Sequence, residues 1–186
     1  MEEIQMYLAE CRDMMDKAIK HLMGELAKIR AGKASPAMLD SIMVDYYGAP
    51  TPLNQMASVT TPDARTIFVK PWEKQVIPDI ERAIINSDLG LNPQNDGEQI
   101  IINIPQLTEE RRTTLVKQAK GEGEQAKISI RNARKEINDE LKQLQKDGAS
   151  EDEIKRAEDK VQEITDEHSK KVDTILDKKE EEIMTV

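Results

Sequence analysis

Cysteine, histidine and aromatic residues are scarce in this chain, and each scarcity removes a class of function. Cys11 is the single cysteine, so no intramolecular disulfide can form, and a reducing setting is the natural expectation. Two distant histidines, His21 and His168, and one thiol supply no ligand set for zinc. No nucleophile with a base and an orienting partner can be assembled from what remains, so enzymatic activity is not expected. A phosphate-cradling loop ending in Lys-Ser/Thr is missing, as is a GxGxxG after a strand. Gly121-Glu122-Gly123-Glu124 lies in a helical pattern and carries acids where phosphates would have to approach. No apolar run reaches the ~20 residues needed to span a bilayer, so no membrane role is expected. The first residues, MEEIQMYLAE, lack the basic start and apolar core of a signal peptide, which points to a cytoplasmic location.

What is abundant is charge. Charged residues make up 34% of the chain against 38% hydrophobic, which is lean for a compact globule and ordinary for long amphipathic helices. The apolar spacing agrees. Ile4, Leu8, Cys11, Met15, Ala18, Leu22, Leu26 and Ile29 recur every three or four residues, so residues 1–30 are expected to form one helix. His21 falls off that stripe and is expected in solvent.

The texture changes at Ala31. Seven of the eight prolines fall in residues 31–104. Ile42, Val44 and Tyr46 alternate with Ser41, Asp45 and Tyr47 as in a strand, and 47–52 (Tyr-Gly-Ala-Pro-Thr-Pro) reads as a turn. Thr66–Lys70 is a second strand. Ile77, Ile80, Ala83 and Ile84 mark a short helix that ends near Gly90 and Pro93. Asn95-Asp96-Gly97 is a turn before a strand over Gln99–Ile104. Together these make a small β/α/β module. It holds four of the five aromatics, Tyr46, Tyr47, Phe68 and Trp72, for which core packing is expected, with Tyr47 as the exposed candidate.

Helix returns after Pro105, with Thr108 as N-cap and Glu109 and Glu110 at the positive end of the helix dipole. Leu115, Ala119, Ala126, Ile130, Ala133, Ile137, Leu141 and Leu144 form its stripe, which ends near Gly148. Gly121 and Gly123 weaken it by roughly 1 kcal/mol each and mark either a bend or a close contact. Ser150-Glu151-Asp152-Glu153 has the pattern of a capping box. The next stripe is Ile154, Ala157, Val161, Ile164, His168, Val172, Ile175, Lys179 and Ile183. Helices this long need partners along their length. The expected fold is therefore α+β: an elongated three-helix bundle from 1–30 and 105–186, with 31–104 inserted as a small β/α/β domain. The two crossings, at Ala31, Gly32 and Lys33 and at Ile104 and Pro105, make a hinge.

The net charge of −9 argues against general attraction to nucleic acid, yet it hides a local asymmetry. Residues 105–135 carry eight basic and four acidic side chains, whereas 147–186 carry seven basic and fourteen acidic. At ~100° per residue, Lys117, Lys120, Lys127, Arg131, Arg134 and Lys135 fall within an arc of roughly 100° beside the apolar stripe. A basic line several turns long is the footprint expected for tracking a phosphate backbone. The plainer alternative is that these residues pair with acids of the last helix or only solvate its surface.

The ordered set of short motifs resembles one family, the bacterial ribosome recycling factors. The matching stretches are 28–36 (KIRAGKASP), 44–53 (VDYYGAPTPL), Ala83-Ile84 with 87–93 (SDLGLNP), 107–112 (LTEERR), 130–134 (IRNAR) and 179–184 (KEEEIM). Ala31 and Lys33 depart from the family's usual threonine and arginine; Lys33 keeps the charge and loses the fork. The resemblance implies a bundle and inserted domain arranged as an L. It implies a monomer that binds the large ribosomal subunit and its ribosomal RNA after termination. It also implies that elongation factor G, which uses the GTP, splits the ribosome with it, so the chain needs no cofactor of its own. It gives Arg131 the leading contact to ribosomal RNA and places Arg30, Arg111, Arg112 and Arg134 among the other basic positions.

Overall fold

The computed structural model describes residues 2–29 and 32–185 and divides the chain into two compact units, residues 1–31 with 109–186 and residues 32–108. Arg30 and Ala31 lie outside the described residues.

The first unit is a three-helix bundle of α1 (Glu2–Lys28), α4 (Glu109–Lys146) and α5 (Glu151–Met184), each packed on the other two. Its core is the set of stripes expected from the 3.6-residue period: Cys11, Met15, Leu22 and Leu26 from α1, Leu115, Ala119, Ile130, Ile137 and Leu141 from α4, and Ile154, Val161, Ile164 and Val172 from α5. Burial pushes the Cys11 thiol above its ordinary range. His168 stands in the same stripe at 1% exposure. Its Nδ1 lies 2.7 Å from the Ile164 carbonyl and its Nε2 lies 2.7 Å from Asp16 Oδ1, so the ring ties α5 to α1.

α4 runs unbroken through Gly121 and Gly123. Gly148, at φ +109°, ends it in a conformation that glycine adopts without strain. Ser150 does sit at the N-cap of α5, but its side chain accepts no capping hydrogen bond; the box suggested by Ser150–Glu153 does not close. Glu151, Asp152 and Glu153 in the first turn supply negative charge at the positive end of the dipole instead.

The second unit is an antiparallel α/β module. β1 (Met43–Tyr46) and β2 (Ala49–Pro52) form a two-stranded ribbon; β3 (Ala57–Asp63), β4 (Thr66–Pro71), β5 (Pro93–Asn95) and β6 (Ile100–Asn103) form a sheet in the order β3-β4-β6-β5. The one-turn helix α2 (Leu53–Met56) joins the two, and α3 (Ile77–Ile85) packs against β1 and β5. The shared core includes Val44, Leu53, Ile67, Val69, Ile80, Ile84, Ile100 and Ile102.

Three strands depart from the sequence reading, and all three contain proline. The segment 47–52 is not one turn. Tyr47 and Gly48 alone turn the chain, both at positive φ (+50° and +84°), and Ala49–Pro52 then pairs with β1. Leu53 N donates to the Ile42 carbonyl, so Thr51 and Leu53 point at β1 while Pro50 and Pro52 point away, where a missing N–H costs nothing. Pro62 and Pro93 likewise sit on β3 and β5, the two edges of the larger sheet.

The chain leaves this unit later than the composition suggests. Ile104 is buried in the module's core, and its N–H donates to the Arg65 carbonyl at 2.7 Å. Ala34 N donates to the adjacent Ala64 carbonyl at 2.8 Å. Leu107 packs against Gly32 so closely that a Cβ there would meet Leu107 Cγ at 2.6 Å. Gly32 is also at φ +71°, so only glycine fits without strain. Ile104 is thus part of the module rather than a free hinge residue, whereas Lys33 and Pro105 are exposed.

Candidate nucleic-acid interface

Helical periodicity places Lys117, Lys120, Lys127, Arg131, Arg134 and Lys135 on one flank of α4, and the structure shows that this flank borders α5. The six are not equivalent. Three form a ladder across to α5 with a seven-residue step. Lys120 Nζ lies 3.8 Å from Glu180 Oε1, and Lys127 Nζ lies 2.8 Å from Asp173 Oδ1. At the next step Arg134 Nη1 donates to Gln162 Oε1 at 3.5 Å, and Gln162 Nε2 donates to Asp166 Oδ1 at 2.9 Å. The antiparallel course of the two helices makes each step forward on α4 a step back on α5.

Lys117, Arg131 and Lys135 form an outer row, turned outward from the ladder by roughly 70° on average at ~100° per residue. All three are exposed. Arg131 reaches only Glu124, at 4.0 Å, and its side chain is 56% exposed, so its five donors are available for a forked contact to phosphate. Lys127, by contrast, is 28% exposed. The inner row thus follows the plainer reading of the stripe, pairing with the last helix, although Lys120 stays exposed beside its acid; the outer row faces solvent with no α5 partner among the described residues.

The remaining basic positions separate further. Arg111 is exposed. Arg112 is buried, and its Nη1 donates to the Met184 carbonyl at 3.0 Å, one of the last carbonyls of α5. Its Nε has no partner. Arg112 therefore anchors a helix end and does not join the exposed set. Arg30 lies outside the described residues.

In the module, Tyr47 is exposed, as expected, but so is Trp72, at 69%, against the expectation of core packing. Aliphatic side chains already fill the core, and Trp72 follows Pro71, the last residue of β4, with its backbone N–H donating to the Met56 carbonyl at 3.0 Å. Glu73 accepts a hydrogen bond from Tyr46 Oη at 2.8 Å and from Tyr47 Oη at 3.4 Å, and the first of these bonds, with burial, holds the Tyr46 phenol above its usual range.

Among the described residues no group of His, Cys, Asp or Glu is placed to hold a metal ion, and no helix is long and apolar enough to cross a membrane. What the fold offers is one charged flank on a three-helix bundle and a small module inserted in the chain between α1 and α4. That defines a protein that works by binding. The ribosome recycling factor family matches residues 5–184. The ribosome-recycling factors of Amoebophilus asiaticus (strain 5a2) and Cytophaga hutchinsonii are 59% and 58% identical over 186 residues, covering all of each chain. A solution structure of the ribosome recycling factor is similar at a TM-score of 0.74 and 35% identity, over 100% of both chains. A second structure gives models for the T. thermophilus ribosome recycling factor and the E. coli elongation factor G bound to the E. coli post-termination complex. It is similar at a TM-score of 0.60 and 48% identity, over 98% of this chain and 99% of that one. The chain belongs to the ribosome recycling factor family, a family of non-enzymatic translation factors.

Proposed function

We propose that this chain recycles cytoplasmic ribosomes after termination by docking the α4 flank of its bundle on ribosomal RNA of the large subunit. The observation that carries this reading is the outer row of Lys117, Arg131 and Lys135, solvent-facing on a helix whose partner α5 is largely acidic. Phosphate contacts of this kind position a protein on RNA without reading sequence. Lys120, Lys127 and Arg134 add to the flank once their α5 partners release them; Arg111, roughly 120° round the helix from Lys117 at ~100° per residue, and Arg30 are further family-matched basic positions off this line.

Elongation factor G supplies the driving force and consumes GTP, and this chain acts as a monomer with no cofactor of its own. The module, 32–108, is the part that elongation factor G moves, and the bundle is the part that disrupts contacts between the ribosomal subunits. The covalent links between them are the two crossings, Ala31–Gly32 and Thr108–Glu109. A rigid cross-link between the units should then spare ribosome binding and block splitting; normal splitting by the locked protein would remove the hinge from the mechanism.

Docking is tested by binding to purified large subunits over a range of salt. Arg131→Ala should weaken binding and lower the slope of log K against log [salt] by about 1, one phosphate contact. An unchanged affinity and slope would favour a bundle that binds ribosomal protein instead of RNA.

A further inference from the structure

The ladder between α4 and α5 has a regularity that isolated surface ion pairs lack. Lys120 and Lys127 are seven residues apart, as are Glu180 and Asp173 that hold them. Arg134 stands one more step along α4, and Asp166 stands one more step back along α5, reached through Gln162. Three successive rungs therefore place a carboxylate or its relay from α5 against the cation nearest the seam. The outer row has no α5 partner among the described residues; Arg131 meets only Glu124 of its own helix, at 4.0 Å.

We infer that Asp173 and Glu180 stand in for phosphate and set the specificity of RNA docking. In the free protein Asp173 holds Lys127 at 2.8 Å and Glu180 stands 3.8 Å from Lys120, so each inner lysine faces a carboxylate of α5 while the outer row faces solvent. An RNA that fits the outer row alone gains few contacts and meets the negative charge of α5. An RNA whose backbone also follows the inner row can displace the carboxylates and gains both lysines. The pairs are exposed enough for this exchange, because ion pairs at the surface are individually weak. Exchange also changes the response to salt. A lysine taken from bulk solvent by a phosphate releases about one counterion, whereas a lysine taken from a carboxylate leaves that carboxylate free to attract a cation in return. The guarded lysines therefore add little to the salt slope of binding.

This inference rests on the proposed docking of the α4 flank. The test uses the full-length chain with Asp173→Asn and Glu180→Gln together. Binding is measured to an unrelated structured RNA hairpin and to purified large ribosomal subunits, each across a salt series. The double variant should bind the unrelated hairpin several-fold tighter than the native chain, with a slope steeper by up to about 2, one for each released lysine. Affinity for the large subunit should rise less, so selectivity falls. Asp173→Asn alone should show about half the change in slope. Asp177→Asn with Glu181→Gln makes the same change in net charge at exposed positions outside the ladder, and it should leave both properties near native. Native affinity and slope in the Asp173/Glu180 variant, or an equal gain in the Asp177/Glu181 control, would overturn the inference. An Arg131→Ala protein with native ribosome binding would instead overturn the docking reading beneath it, so the two failures are distinguishable.

Discussion

Gly123 of α4 lies directly under the side chain of Leu176 of α5, so a Cβ at position 123 would sit 2.9 Å from Leu176 Cδ2 and 3.0 Å from its Cγ. Gly121, one half-turn earlier, has open space around it. The two glycines share a helix and a propensity cost, yet they do different things. Gly123 lets α5 approach α4 beside the guarded lysine ladder, whereas Gly121 does nothing that the structure explains.

Opposite signs follow for the same substitution. Gly121→Ala should raise stability by about 0.5–1 kcal/mol, the helix-propensity difference. Gly123→Ala gains the same propensity but drives a methyl into Leu176, whose Cγ as well as its tips must move; overpacking of this kind costs about 1–3 kcal/mol, so the net effect is destabilising. Leu176→Ala added to Gly123→Ala should recover part of the loss. Thermal unfolding followed by circular dichroism reads all three, and a stabilised Gly123→Ala protein would show that the helices are free to separate there.

Arg112 holds the end of α5 through the Met184 carbonyl. Losing a part-buried hydrogen bond from a charged donor costs about 1–3 kcal/mol. Arg112→Ala should therefore destabilise the bundle by that order and speed amide exchange in the last turn of α5, including Thr185, whose N–H donates to the Glu181 carbonyl. Its binding to ribosomes, measured at a temperature where it stays folded, should be near native. A large loss of affinity with unchanged stability would place Arg112 on the RNA after all.

Asp96 closes the turn between β5 and β6 by accepting from the backbone N–H groups of Glu98, at 2.9 Å, and Gln99, at 2.8 Å. Those bonds hold its carboxyl below the ordinary range. A folded-state value below the unfolded one stabilises the fold above the unfolded value, about 4, and that contribution disappears as pH falls through the folded value. Asp96→Ala should lower the module's stability at neutral pH and flatten its loss in acid. Equal acid sensitivity in the two proteins would contradict this assignment.

The long helices were legible because their apolar stripes keep one period over more than thirty residues, and no competing pattern interrupts them. The proline-bearing strands β2, β3 and β5 were not, because proline weakens the strand pattern while an edge or a ribbon tolerates it at positions facing away from the partner. Trp72 stands outside the core for a related reason: isoleucines, valines and leucines close the module's core without it. The basic arc on α4 was readable from Lys117 to Lys135. Its division into guarded and open rows was not, since that depends on the register of α5 against α4. Two matching seven-residue steps, Lys120 to Lys127 and Asp173 to Glu180, are visible in the sequence only once the helices are known to run antiparallel at that offset.

Light scattering of purified post-termination ribosomes, mixed with this protein, elongation factor G and GTP, tests the proposed function most directly. Scattering should fall only when all three are present, and the fall should be slowed or lost with Arg131→Ala at a salt concentration where the native chain is active. Splitting that proceeds equally well with Arg131→Ala, or no splitting by the native chain with its cognate elongation factor, would contradict the proposal that this flank of α4 docks the protein for recycling.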